Sequence, residues 1–403
     1  KNAFVGTASS IRIKSDTHYN QLGYDDNTIS GVTVASKTPG TYANGIRVAI
    51  IDSKADQVLT VSGISTVGLG ITQSAAGRIV AGAAGTSVLD GYIKGIVTEV
   101  GTGTISVKTL AHVSTAGTVT NVNYQNGGVY NFATGNISAS AAGTNVGGTA
   151  QSVTAAVDWF EQQNIVLTQT DTNGNPLSLE WDALADRPST STYVASRGGR
   201  FDELHVVVID DKGTITGNAG TILEKHLNLS KAKDAEYSVG STSYWRKYLA
   251  TNSQYIYGGS APGITTSAFT AGTATAIGNL DADSGWDQDA SEVNFGLSGV
   301  VTSSLAGGTN YGDKTDYTTS GALTSGVDDL ITGYGLFENK EEIEVDFILM
   351  GAAHHPKEQS QALAEKCIAV AESRKDAVAF ISPYRQAFLN DSSVGSVTVN
   401  NID

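Results

Sequence analysis

The stretch "TPGTYANGIRVAIID", Thr38 to Asp52, places two turn signals close together, directly ahead of an apolar run. Pro39 fixes φ for the first central position of a turn, and Gly40 supplies the positive φ of the second. Asn44-Gly45 is suited to a second tight turn, after which Gly45 delivers the chain into Ile46–Ile51. The whole chain has only six prolines. A double bend at this point therefore reads as a tight local approach to a strand.

Upstream, "SSIRIKS" (9–15) alternates, with Ile11 and Ile13 on one face and Arg12 and Lys14 on the other, as in a half-buried strand. Downstream, residues 57–150 change character. Their only charged residues are Arg78, Asp90, Lys94, Glu99 and Lys108. One hairpin is legible there: "YIKGIVTEV", "GTG" at 101–103, then "TISVKTL". Short β-branched runs with Gly-rich turns predict a small inserted β-domain, since low charge with regular Val and Ile is not the signature of disorder.

Residues 152–163, "SVTAAVDWFEQQ", carry Val153, Ala156, Val157 and Phe160 at helical spacing and predict a helix. "LHVVVID" (204–210) is a continuous apolar run typical of a strand buried on both faces, and "DKG" (211–213) turns it. Residues 244–252 read as a short helix, and 258–330 as long surface loops. In the last seventy residues, "EVDFILMG" and "AVAFISP" read as buried strands. They flank a helix, "EQSQALAEKCIAVAESRK", with Leu363, Cys367, Val370 and Ala371 on its stripe and Arg374 and Lys375 in its last turn. That order predicts a right-handed βαβ unit with parallel strands.

The expected fold class is mixed α/β and β, multidomain: an α/β core, a βαβ unit near the C-terminus and an inserted small β-domain. The expected division is 1–56 with 151–335 as a discontinuous α/β domain, 57–150 as an outer β-rich domain, and 336–403 as the start of an incomplete inner α/β domain. A length of 403 residues suits two to four domains. A net charge of −15 argues against a nucleic-acid partner, which needs clustered Lys and Arg. One cysteine, Cys367, permits no intramolecular disulfide. No apolar run is long enough to span a membrane, and "KNAFVGTASS" lacks the apolar core of a signal peptide. High Gly with abundant Ser and Thr suits a β-rich extracellular or virion structural protein.

Few residues suggest chemistry. His354-His355-Pro356 follows a predicted strand end, where ligands bind in α/β sheets, but no third ligand is near. Asp281, Asp283, Asp287, Asp289 and Glu292 have the alternation of a calcium loop. The sixth position is Trp286, where glycine is needed, so a solvated acidic loop is expected. Cys367 reads as a buried small hydrophobe rather than a nucleophile. Asp210 and Asp211 are adjacent on a strand and point to opposite faces, a poor acid/base pair. Trp181, Trp245 and Trp286 are too far apart in sequence for a stacking series. No nucleophile elbow, phosphate loop, dinucleotide fingerprint or zinc-protease motif is present. No catalytic, cofactor-binding or metal-binding residues are assigned, no cofactor is expected, and the chain is read as not an enzyme.

Several stretches together resemble the tail sheath protein of contractile-tailed phages, in particular the T-even-related group and its marine relatives. "TPGTYANGIRVAI" is similar to the family's Pro-Gly-x-x-x-Asn lead into a core strand. "RPSTSTYVASRGGRFDELHVVVIDDKGTITGNAGTILEKHLNLSKAKDA" (187–235) resembles its central region. "SLAGGTNYG" (304–312) is similar to a Gly-Gly stretch before a variable loop. "DFILMGAAHH…AEKCIAVAESRKDAVAFISPYRQ" resembles its closing strand, helix and strand, with Ser382-Pro383-Tyr384-Arg385 in the final motif. The likeness runs from Phe4 to Asp403, with 57–150 matching in flavour only. The family carries arms and domains beyond both ends, so the resemblance places this chain in its central portion. It implies a virion subunit, assembled in host cytoplasm, forming stacked hexameric rings in a helical lattice around a tail tube. Its partners would be copies of itself, the tube protein, and the baseplate and tail terminator proteins, with no nucleic acid and no membrane insertion. Contraction would drive the tube through the host envelope during genome ejection. The alternatives are a non-enzymatic adhesin or surface-layer protein, and a hydrolase using His354 or His355.

Overall fold

A computed structural model describes residues 1–8, 11–13, 15–21, 31–82, 85–140, 149–262, 285–309, 326–351 and 357–382. The fold is mixed, mostly strands with some helices, in several sheets. It divides into two compact units, Lys1–Gly308 and Thr309–Asp403.

A four-stranded antiparallel sheet organises the first unit. Its order is Thr221–Ser230, Glu203–Asp210, Ile46–Asp52 and Val300–Ser304. Successive side chains of a strand point to opposite faces. On one face Val48, Ile50, Leu204, Val206 and Val208 pack with Trp245, Leu249, Ile256 and Trp286. On the other, Ala49, Ile51, Val207 and Ile209 pack with Trp159, Phe160, Ile165 and Trp181. The unbroken apolar run at 204–210 is thus buried on both faces, with antiparallel neighbours on both sides.

The approach to this sheet differs from the expected pair of turns. Gly40 has the positive φ expected, 150°, but Thr41–Gly45 forms one turn of 3-10 helix. Gly45 is needed for close approach rather than for its φ. A Cβ there would lie 2.3 Å from the Thr214 hydroxyl oxygen.

Residues 57–158 build an eight-stranded antiparallel sheet. Thr149–Val153 forms one edge of its main path and Ala155–Asp158 the other, with Thr154 alone between them. Seven strands laid flat would separate the two edges by about 29 Å, given a spacing of about 4.8 Å, whereas one residue spans about 3.5 Å. The sheet therefore curls on itself. Leu59, Ile71, Ile93, Val97, Ile105, Val107, Phe132, Ile137 and Val153 fill the space enclosed. The hairpin of Tyr92–Gly101 and Thr104–Val113 runs through its middle, as the sequence implies.

The helix expected over 152–163 does not form. Ala155–Asp158 instead pairs with Gln57–Thr60, and only Phe160–Gln162 makes a short 3-10 turn. Val153 and Phe160 are buried at either end, but Val157 is 44% exposed, so the helical spacing marks no continuous face. The segment carries the chain from one sheet edge to the other, and that tertiary demand overrides local periodicity.

A third sheet joins Phe4–Gly6, Val32–Ser36 and Ile256–Gly258. The expected helix forms at Trp245–Asn252.

In the C-terminal unit, Phe347–Leu349 and Val378–Phe380 pair in parallel, and the helix Lys357–Arg374 lies between them in sequence. Leu363, Cys367 and Val370 of the helix pack with Ile348 and Met350. A further helix, Val327–Gly335, begins inside the stretch expected to be loop. The two strands are not buried throughout. Ile348 is 3% exposed, but Phe347 and Leu349 are each 63% exposed, Val378 is 56% and Phe380 53%.

Candidate functional site

The residues singled out for chemistry do not converge. His354 and His355 lie outside the described residues, as do Asp281 and Asp283. Asp287 turns inward, where its carboxylate takes the Tyr244 hydroxyl at 2.6 Å and pairs with the buried Arg246 guanidinium. Burial raises its carboxyl above the ordinary range, against the pull of Arg246. Asp289 and Glu292 face solvent. Among the described residues, no group of three or more His, Cys, Asp or Glu side chains is placed to hold a metal ion. Cys367 is fully buried, and burial pushes its thiol up, away from the reactive thiolate.

Asp210 and Asp211 bind different partners. Burial opposes ionisation of Asp210, but the backbone N–H groups of Thr216, Ile215 and Thr214, with the Thr216 hydroxyl, outweigh it and lower its pKa. The carboxylate thus ties the turn after the central strand. Asp211 is likewise disfavoured by burial and rescued by Arg47, at 2.8 Å, and by the Thr168 side chain and backbone N–H.

One constellation was not legible in sequence. Glu224 accepts Ser253 Oγ at 2.6 Å and the Gln254 N–H at 2.7 Å, and lies 2.9 Å from His226 Nε2. Glutamate, histidine and serine are together, but the carboxylate stands in the middle. Nucleophilic catalysis needs the base between the hydroxyl and the acid. Ser253 Oγ also accepts the N–H groups of Tyr255 and Ile256, which makes it a turn-forming hydroxyl. Trp245 and Trp286, distant in sequence, meet edge to face at 5.7 Å inside the core.

Polar groups instead join the curled sheet to the rest of the first unit. Lys108 meets Asp56 at 2.8 Å, with side chains 6% and 2% exposed. Arg187 pairs with Asp158 and lies over the Tyr124 ring at 4.4 Å. Arg200 donates to the carbonyls of Leu110 and Val122 at 3.0 and 2.8 Å. Burial lowers the Lys108 pKa, and Asp56 only partly restores it. Burial also brings Arg200 down to about 10. These cations are consumed in anchoring, which leaves little for an outside anion.

The surface feature with most functional content is the outer face of the parallel pair. Phe347, Leu349, Val378 and Phe380 share it, and the Phe347 and Phe380 rings lie 5.8 Å apart. Parallel strands ordinarily have both faces covered. An exposed apolar face of this kind is a candidate interaction surface.

No family model matches this chain, and no curated protein matches it.

Proposed function

We propose that this chain is a structural subunit of a contractile phage tail sheath, polymerising as stacked hexameric rings around a tail tube. The observation that carries the reading is the bare apolar face of Phe347, Leu349, Val378 and Phe380. Such a face suits a subunit whose neighbours cover it, and it has no use in a solitary enzyme. The likeness of four ordered stretches to the sheath family supplies the form of the assembly. In this reading 1–56 with 151–335 is the sheath domain, 57–150 an outer domain, and 336–403 belongs to an inner α/β domain built on a βαβ unit. The buried carboxylates at Asp210, Asp211 and Asp287 are staples of a stiff body. Stiffness is what a subunit needs if it moves as a unit while the lattice rearranges. The energy of contraction would reside in the lattice, so the subunit calls for no cofactor. Electron microscopy of the protein expressed from its complete reading frame tests this. Sixfold rings or long hollow tubes are expected, and monodisperse particles at high concentration would refute it.

A further inference from the structure

Lys231 and Asp52 form the most deeply buried ion pair among the described residues, with side chains 0% and 1% exposed and Nζ 2.8 Å from Oδ2. They sit far apart in sequence. Asp52 ends a central strand, and Lys231 directly follows the strand Thr221–Ser230. Lys231 Nζ also donates to the carbonyls of Phe201, at 3.1 Å, and Gly296, at 2.7 Å. Its remaining direction points at the Asp52 carboxyl. The Trp286 ring lies 5.0 Å from the ammonium and helps close the site to water. Asp52 receives two backbone donors, Ser298 N–H on Oδ2 and Gly299 N–H on Oδ1, each at 2.7 Å.

We infer that Lys231 and Asp52 condense into an intramolecular isopeptide bond. A proton passes from the Lys231 ammonium to Asp52 Oδ2, which leaves a neutral amine facing a carboxylic acid. The amine attacks Cγ, and the Gly299 N–H holds Oδ1, the oxygen on which negative charge develops. The Nζ–Cγ bond forms, the Cγ–Oδ2 bond breaks, and a second amine proton leaves with Oδ2 as water. No oxidant or co-reactant is needed.

Four features favour the step. Two charges in a dry interior are costly to desolvate even when paired, and the amide removes both. The reacting groups are held in contact by the fold, which replaces an encounter with a unimolecular step. The hydrogen bonds still close in the product. The single amide N–H can serve the Phe201 carbonyl, while the Gly296 carbonyl keeps its second donor, the Trp286 indole N–H at 3.2 Å. The remaining oxygen, Oδ1, keeps the Gly299 N–H, and its second lone pair is open to the Ser298 N–H once Oδ2 has left. Burial also lowers the Lys231 pKa against the opposing charges of Asp52 and Asp202, which favours the neutral amine. Asp202 is the other acid close enough to act on Lys231, and its own carboxyl is held by Ser191 and Ser230.

Intact-mass measurement on the purified, denatured chain tests the bond. The expected mass is that of the sequence less one water. Proteolysis should yield a branched peptide joining the segments that contain Asp52 and Lys231. Lys231→Met and Asp52→Ala should each restore the full mass, measurable even if the variants fold poorly. An unreduced mass in the parent protein overturns the proposal. So does a water loss that is sensitive to hydroxylamine and maps to Asp90-Gly91, where a cyclic imide would give the same mass.

Discussion

Two β-structures in this protein are built from similar residues and meet different fates. Glu203–Asp210 has hydrogen-bonded strands on both sides and apolar clusters on both faces. Phe347–Leu349 and Val378–Phe380 have each other, and a covered face on one side only. The first spends its apolar side chains on the fold of its own unit. The second leaves four of them to water. Apolar character in a strand states that burial is wanted, and it does not state what provides the burial.

The largest effect that could break this comparison is a charge in the doubly covered strand. Val207→Asp places a carboxylate where exposure is 0%. It should cost upward of about 4 kcal/mol and leave little folded protein, as read by thermal denaturation. Survival of a cooperative melt would show that the sheet is less tightly enclosed than described. Next, Asp287→Ala removes the carboxylate that faces the buried Arg246 guanidinium. A loss of about 3 kcal/mol is expected in denaturant titrations, the scale for breaking a buried pair. A near-neutral result would mean that neighbouring groups already satisfy that charge.

A smaller effect tests the same sheet by pH. His205 Nδ1 accepts the Asn228 N–H at 2.9 Å, and Nε2 lies 2.7 Å from the Asp186 carbonyl oxygen, so the ring is held neutral. Burial lowers its pKa in the folded protein, against the opposing Asp186 carbonyl. As pH falls below about 6.5, the unfolded chain takes the proton first. The stabilisation from the neutral ring is complete above that value and is lost as pH drops through it toward the lower folded pKa. The melting temperature of the parent protein should therefore fall more steeply from pH 7.5 to pH 5.5 than that of His205→Gln. Parallel slopes would remove His205 from the account. Smallest in stability, Phe347→Ser on the bare face should change the unfolding free energy by less than about 1 kcal/mol, because little burial is lost. Self-association seen by analytical ultracentrifugation should nevertheless weaken. A large loss of stability would instead place Phe347 in the fold of its own unit.

The sequence was readable wherever one local pattern dominated. The 204–210 strand, the 92–113 hairpin and the helices at 245–252 and 357–374 all announced themselves by period and turn residues. The segment 152–163 misled because its helical spacing competes with a topological demand, passage between two sheet edges, that no local window contains. The exposure of Phe347 and Phe380 was hidden for the opposite reason. A buried strand and a strand awaiting a cover look alike in one dimension. Contacts such as Asp52 with Lys231, or Glu224 with Ser253, join residues whose side chains give no local hint of each other. The role of Asp210 as a turn staple depends on N–H groups that carry no sequence signal.

The central claim is that the bare face of the C-terminal unit is covered by neighbouring copies in an ordered polymer. It is tested most directly by negative-stain microscopy of the protein from its complete reading frame, alongside the double variant Phe347→Ser/Phe380→Ser. Rings or hollow tubes from the parent, and dispersed single particles from the folded double variant, are the result the account predicts. Identical tubes from both would contradict the role given to that face, and dispersed particles from both would contradict the sheath reading itself.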